Sequence, residues 1–351
     1  MSTFILSAKE QVPFLGVKDV CKLISAYGIE AFLKDLAQEI EQDFIHWEHL
    51  DKSNRYASHS ADGVIELMPI SDGTYFSCKT VNGHPNNYLN GLQTVAAFGV
   101  LSDVASGYPI LISEMCLLTA LRTAATSALV ATYLAPKHRE QMTLIGNGAQ
   151  SEFQALAFRA LLGINRVCLY DIDHQASVKA YNNLRSRGFD VVIHNSVNAA
   201  VANSQIITTC TADKKYAQIL DDSAVKPGIH INAIGGDCPG KTELNKNILT
   251  RSTVFVEYTP QTRIEGEIQQ MPDDFAVTEL HDLFTGNQMG RRSEEEITLF
   301  DGVGFASEDL SVLRFIRNIL TSEQYVKKSE LQTLDIVSNQ IDPKNLFSLF
   351  Q

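Results

Sequence analysis

Met142-Thr-Leu-Ile-Gly146-Asn-Gly148-Ala-Gln-Ser151 decides the fold. It reads as a short apolar strand, a glycine turn and a helix start. Further on, Val167-Cys-Leu-Tyr-Asp171 reads as a second strand ending in an acid. Glycines such as Gly146 and Gly148 let the backbone turn tightly and approach a pyrophosphate, whose charge the free N–H groups of the helix start meet. Asp171 suits the adenosine ribose hydroxyls, which favours NAD over NADP. The pattern departs from G-x-G-x-x-G at its last place, where Ser151 stands. Residues 1–141 precede the motif and are too many for a leader. A second domain facing the cofactor is therefore expected.

A chain of 351 residues suits two domains. Its apolar share of 44% and charged share of 20% are ordinary for a globular protein. The formal net charge of -12 argues against nucleic acid or an anionic membrane as partner. The start shows no basic region followed by an apolar core, so no signal peptide is expected. No stretch of about 20 uncharged apolar residues appears, so no membrane span is expected either. The six cysteines form no C-x-x-C pair, and most lie in apolar runs. They read as reduced, buried thiols of a cytoplasmic protein. The nine histidines show no H-x-x-x-H spacing, so no metal is expected.

Residues 15–50 carry apolar positions at helical spacing. Residues 55–83 read as a hairpin turning at Ser71-Asp-Gly73, and a second strand pair turns across 103–107. A helix over 119–134 links the two halves. From 142 the rhythm becomes strand, helix, strand. Strands are expected at 142–146, 166–170, 190–194, 205–209, 229–234, 253–257 and 297–300. Helices are expected near 150–162, 174–187 and 196–203. Such alternation implies a parallel sheet with crossover helices. A helix near 306–320 crosses back to the first half. The tail ends in Leu346-Phe-Ser-Leu-Phe, a candidate docking segment.

The run Ile234-Gly-Gly-Asp237-Cys-Pro-Gly-Lys241 follows the strand His230-Ile-Asn-Ala. Glycines at a strand's carboxyl end admit a ligand close to the backbone, and an acid there can face a substrate amine. Asp, Pro and Gly also compose ordinary surface turns. Lys79 and Arg122 sit among apolar or small residues, and Arg55 and Glu66 are similarly ambiguous. A lone charge is commonly a solvated one. If buried, each cation needs an anionic partner, such as a substrate carboxylate or a pyrophosphate.

Taken together, these segments resemble the ornithine cyclodeaminase/mu-crystallin family. The resemblance rests on Arg55 with Ser58-His-Ser60, Gly63-Val-Ile-Glu66-Leu-Met-Pro, Lys79-Thr-Val-Asn-Gly-His-Pro, Ala120-Leu-Arg-Thr-Ala-Ala-Thr126 and Ile145-Gly-Asn-Gly-Ala-Gln-Ser-Glu-Phe153. Gly235-Gly-Asp-Cys-Pro-Gly-Lys241 and Tyr258-Thr-Pro-Gln-Thr-Arg-Ile-Glu-Gly-Glu267 complete it, and these two point to the bacterial ornithine cyclodeaminase branch. The likeness runs to about residue 320.

It implies an α/β fold. A Rossmann NAD-binding domain (126–309) has a parallel sheet with helices on both faces. An α+β domain (1–125 with 310–351) binds substrate and builds a homodimer. It implies a cytoplasmic lyase of proline formation and of arginine/ornithine catabolism. NAD takes a hydride from the α-carbon of L-ornithine, the δ-amine closes the ring, ammonia leaves, and the hydride returns to give L-proline. By motif, Asp237 is the general acid/base. Arg55 and Lys79 hold the substrate carboxylate, Glu66 lies near an amine, and Arg122 lies near the carboxylate and the cofactor phosphates. Thr94, Ala149, Gln150, Asp171, Thr211, Ile234 and Lys241 take nucleotide positions, alongside Gly146, Gly148, Gly235, Gly236, Asp237, Gly302 and Val303. A serine is expected at 302, so Gly302 removes one hydroxyl from the cofactor site. Other readings stay open: a ketimine reductase, an alanine dehydrogenase, a lysine cyclodeaminase, or a crystallin-like binding protein without catalysis.

Overall fold

A computed structural model describes residues 11–212, 216–322, 324, 330–336 and 344–350. The expectation that no leader precedes the chain falls mostly on residues 1–10, outside the described residues.

The first half builds a mixed sheet. Its strands run in space as Gln332–Leu334, Val12–Leu15, Pro109–Glu114, Ala97–Asp103, Tyr75–Gly83, Val64–Ser71 and Asp51–Lys52, with Tyr56–His59 also paired to Val64–Ser71. Period-two patterning divides its faces. Glu66, Met68 and Ile70 point inward from Val64–Ser71, while Ser77, Lys79 and Val81 point inward from Tyr75–Gly83. The long helix Ala306–Ser322 covers that inner face. The helical region over 15–50 is two helices, Val17–Tyr27 and Ile29–Ile45, broken at Gly28, whose φ of 91° ends the first. Phe32, Leu33, Leu36, Ile40 and Phe44 form the buried stripe of the second. The strand Val12–Leu15, parallel to Pro109–Glu114, was not expected. Four residues are too few to show a period.

The second half holds a wholly parallel sheet, ordered Asp190–Ile193, Arg166–Tyr170, Gln141–Ile145, Ile206–Thr209, His230–Ala233, Ile297–Asp301, Ser252–Val256 and Thr278–Glu279. The first five strands follow the Rossmann order, with the direction of winding changing between Gln141–Ile145 and Ile206–Thr209. The helices Ser151–Leu162 and His174–Ser186 lie where expected. The third expected helix shrinks to Val197–Val201. Strands Tyr216–Leu220 and Thr242–Leu244 form a separate parallel pair that the sequence reading missed.

The helix Cys116–Leu134 joins the halves. Among the described residues it alone is long and apolar enough, by length and composition, to cross a membrane. Most of it is buried inside the protein, against both neighbouring helices and the parallel sheet. The divisions expected at 125/126 and 309/310 fall inside this helix and inside Ala306–Ser322, both unbroken. Of the cysteines only Cys168 is fully buried. Cys21 is exposed, the other four are half-buried, and all six are free thiols. The reading of buried thiols is corrected to that extent.

Candidate functional site

The expected site residues Gly146, Asp171, Ile234 and Gly302 follow directly on the carboxyl ends of parallel strands, and Thr211 stands two residues beyond the end of another. This is the side of an open α/β sheet where ligands bind.

Gly146 adopts a φ of 94°, and a Cβ there would lie 2.8 Å from the Cys210 backbone. Only glycine fits. Gly148 and Ala149 are exposed, with nothing within 4 Å of a Cβ at Gly148, so the turn is open to a ligand. Gln150 precedes the helix and donates through Nε2 to the Ala120 carbonyl at 3.1 Å, tying the turn to the joining helix. Ser151 is buried, and its hydroxyl donates to the Gly148 carbonyl at 3.0 Å. The serine at the third fingerprint place thus closes the turn from below. Asp171 accepts the Asn147 N–H at 2.5 Å and the Asp173 N–H at 2.8 Å. Each oxygen keeps a lone pair, so the carboxylate is fixed but not filled. An open glycine turn, a helix N-terminus and a fixed acid fit a dinucleotide with a free ribose 2′-hydroxyl.

The run after Ile234 is more than a surface turn. A Cβ at Gly235 would overlap the buried Glu243 carboxylate, so that carboxylate packs directly under the backbone. Glu243 accepts the Thr211 N–H at 2.9 Å and also the Thr211 hydroxyl. Glu267 accepts the N–H groups of Glu243 at 2.7 Å and Leu244 at 3.1 Å. Asp301 accepts those of Glu267 at 2.8 Å and Ile268 at 2.9 Å. Three buried acids therefore brace the loop in series. Burial pushes the Asp301 carboxyl up to about 7. Burial first, then neighbouring Asp301, holds Glu267 well above the carboxylate range. Lys241 is buried and donates to the Thr211 carbonyl at 2.8 Å, with Asp237 Oδ1 at 3.5 Å. Its ammonium fastens two loops and steadies Asp237. Asp237 itself stays open, its side chain 56% exposed.

The cations form one buried cluster. Arg55 donates through Nη2 to the carbonyls of Val303 at 2.9 Å and Gly304 at 2.6 Å, with Glu66 3.3 Å from Nη1 and Glu265 3.1 Å from Nε. Lys79, 1% exposed, pairs with Asp309 at 2.8 Å. Arg122 pairs with Glu308 at 2.6 Å and Asp309 at 3.2 Å. Burial lowers the Lys79 ammonium to about 8 despite Asp309. For Arg122, burial is outweighed by Asp309 and Glu308, and its pKa rises. Glu257 accepts the N–H groups of Gly304 at 2.9 Å and Val303 at 3.3 Å, and burial, then Glu308, lifts it to about 8. The expectation that a substrate or pyrophosphate supplies the anions is corrected: the chain supplies Glu66, Glu265, Glu308 and Asp309 itself. Desolvated cations demand partners in every state of the protein, not only in the liganded one.

Two expected positions stand apart. Thr94 lies on the loop after the short helix Pro85–Asn90, its carbonyl accepting the His84 N–H at 2.9 Å. Among the described residues no hydrogen bond joins it to the glycine turn. At Gly302 a Cβ would meet the Phe300 ring at 2.7 Å and Ile234 at 3.2 Å. The ring takes the room a serine side chain needs, and the Gly302 N–H already donates to Ala233 at 2.9 Å.

Sequence reasoning missed Glu243, Glu257, Glu308, Asp309 and Asp301 as parts of the site. Gln261 and Glu265 lay inside a quoted motif without a role. Gln261 donates to the Gly304 carbonyl at 3.0 Å. Glu308 and Asp309 lie in the first turn of Ala306–Ser322, where acids are common on any helix.

Residues 17–324 match the model of the ornithine cyclodeaminase/mu-crystallin family. The chain belongs to this family. It is 55% identical over 338 residues to ornithine cyclodeaminase of Brucella suis, covering 96% of this chain and 93% of that one. It is 56% identical over 338 residues to ornithine cyclodeaminase of Agrobacterium fabrum, covering 96% and 94%. A solved lysine cyclodeaminase, described as recognising L-lysine, L-ornithine and L-2,4-diaminobutyric acid, aligns with a TM-score of 0.89 at 26% identity, covering 97% of this chain and all of that one. An archaeal alanine dehydrogenase dimer with bound NAD aligns at 0.84 with 26% identity, covering 93% and 100%.

Proposed function

We propose that this chain is an NAD-dependent ornithine cyclodeaminase, forming L-proline and ammonia from L-ornithine. The observation that carries this is the meeting of two parts at the strand ends. The exposed Asp237 lies near enough to act electrostatically on Arg55 and Glu265 in the buried cluster, and it stands on the same edge as the open glycine turn. Family membership and identity above one half with ornithine cyclodeaminases support the substrate.

Gly146, Gly148, Gln150, Asp171, Thr211 and the Ile234–Gly236 backbone would hold NAD, and Asp171 favours it over NADP. Bound NAD supplies the redox chemistry at the substrate α-carbon, once forward and once in reverse. Arg55, Lys79 and Arg122 orient the substrate carboxylate. Arg55 is fixed by two backbone carbonyls, and the other two cations by Asp309. Asp237 takes a proton from the attacking amine, which is nucleophilic only when neutral, and returns a proton to the departing ammonia. Glu66 steadies an ammonium beside Arg55.

The protein is also proposed to be a cytoplasmic homodimer with domains 1–125 plus 310–351 and 126–309. One face of the first sheet leaves Tyr56, Ile65, Leu67, Phe76 and Phe98 exposed, an apolar surface suited to a second copy. The alanine dehydrogenase neighbour is a dimer.

Incubation with catalytic NAD and L-ornithine tests the activity. Proline and ammonia in equal amounts, without net NADH, are expected. Stoichiometric NADH would move the chain to the dehydrogenase reading. Turnover of lysine in preference to ornithine would favour the lysine cyclodeaminase reading.

A further inference from the structure

Arg55 lies between two carboxylates. Glu66 sits 3.3 Å from Nη1 and Glu265 sits 3.1 Å from Nε, while Nη2 is committed to the carbonyls of Val303 and Gly304. The two carbonyls anchor the guanidinium, so it cannot swing to serve each acid in turn. The triad thus carries one positive charge and up to two negative charges. Glu265 is 6% exposed, and its Oε2 has no hydrogen-bond partner, because the Arg55 Nε–H does not point at it. A buried acceptor without a donor is costly. A cation with several donors resolves both the charge imbalance and the empty acceptor, and an ammonium has three.

An amino acid such as norvaline brings one ammonium and one carboxylate. A diamino acid brings one ammonium more. We propose that Glu265 is the specificity-determining counter-ion for the distal ammonium of a diamino-acid substrate. This rests on the cyclodeaminase reading and assigns that reading's substrate selectivity to one residue. The helix Thr259–Glu265 places Glu265 at its last position, just before Gly266. The groups facing it are Arg55, Glu66 on the strand Val64–Ser71, and Asp237 on the loop after His230–Ala233. Burial raises Glu265 to about 7, with Arg55 lowering it and Glu66 and Asp237 raising it further. Without a substrate, then, the raised carboxyl is open to protonation near neutral pH. A docking ammonium favours the charged carboxylate, and the proton is released to solvent.

The test is calorimetric titration of the NADH-loaded protein at pH 7 with L-ornithine and with L-norvaline, which has the same carbon chain without the distal amine. NADH offers no hydride acceptor, so ornithine binds without turnover. Repeating the titrations in buffers of different ionisation enthalpy counts the protons. Ornithine is expected to release more protons than norvaline, since only its distal ammonium favours the ionised carboxylate. In Glu265→Gln that difference should vanish, and the preference for ornithine over norvaline should fall about 10–100-fold. A purely structural hold on Arg55 predicts equal weakening of both ligands and an unchanged proton difference, and either result overturns the proposal. If the variant does not fold, the wild-type comparison decides: equal proton release by the two ligands overturns the assignment. Proline formation by the wild type is scored in parallel. Its absence sinks the cyclodeaminase reading, whereas proline formation with no proton difference sinks only the role of Glu265.

Discussion

Lys79 shows how far a single residue can be read. Its apolar neighbours raised burial as one reading beside that of a solvated charge. Its partner Asp309 lies 230 residues away, beyond any local pattern. Asp309 serves Lys79 and Arg122 together, so its loss strips Lys79 of its carboxylate and leaves it beside Arg122, which keeps Glu308. Lys79→Met leaves Asp309 still paired with Arg122. Asp309→Asn is therefore expected to cost about 3–5 kcal/mol of stability, and clearly more than Lys79→Met. Urea denaturation of both variants measures this, and equal losses would refute the shared role. Asp237 is a different case, open to solvent with Lys241 at 3.5 Å. Asp237→Asn should lower turnover about 10²–10⁴-fold while NAD still binds. Near-normal turnover would return it to the role of a turn residue.

At the scale of elements, the long strands and helices of the parallel half were legible because each carries its own period and its own turn residues. The missed elements are short or lack a period. Thr278–Glu279 has two residues, and the insertion of Ile297–Asp301 between His230–Ala233 and Ser252–Val256 is set by packing. Also illegible was the bracing of the Ile234–Lys241 loop, since Glu243, Glu267 and Asp301 belong to three separate elements. Asp301 gives that bracing a pH signature. Its carboxyl, raised from 3.8 to about 7 by burial, keeps a proton in the folded chain that the unfolded chain has already lost. Stability contributed by this group is thus lost as pH climbs from about 4 to about 7. Melting temperatures across that window should fall with pH, and more shallowly in Asp301→Asn, which cannot ionise. An identical slope in both proteins would contradict the assignment.

For the whole molecule, the two sheets share a core through Cys116–Leu134, and Ala306–Ser322 closes the first sheet's inner face. Among the described residues no helix covers the outer face in the same way. Phe98 is 56% exposed there, beside Thr80 on the neighbouring strand. If the proposed dimer uses this face, Phe98→Glu should convert it to monomer in sedimentation velocity, since a charge placed in an apolar interface must be desolvated. An unchanged sedimentation coefficient would move the interface elsewhere. The sequence singled out Arg55, Lys79 and Arg122, but not the buried acids of the chain itself that pair with them.

Redox-neutral ring closure at one carbon is the step that defines the proposed activity. L-ornithine deuterated at the α-carbon, incubated with the protein and unlabelled NAD, tests it most directly. L-proline retaining the deuterium at its α-carbon is expected, with ammonia in equal amount and none of the label in solvent. Proline without the label, or label accumulating in the nicotinamide pool in proportion to ornithine consumed, would contradict it.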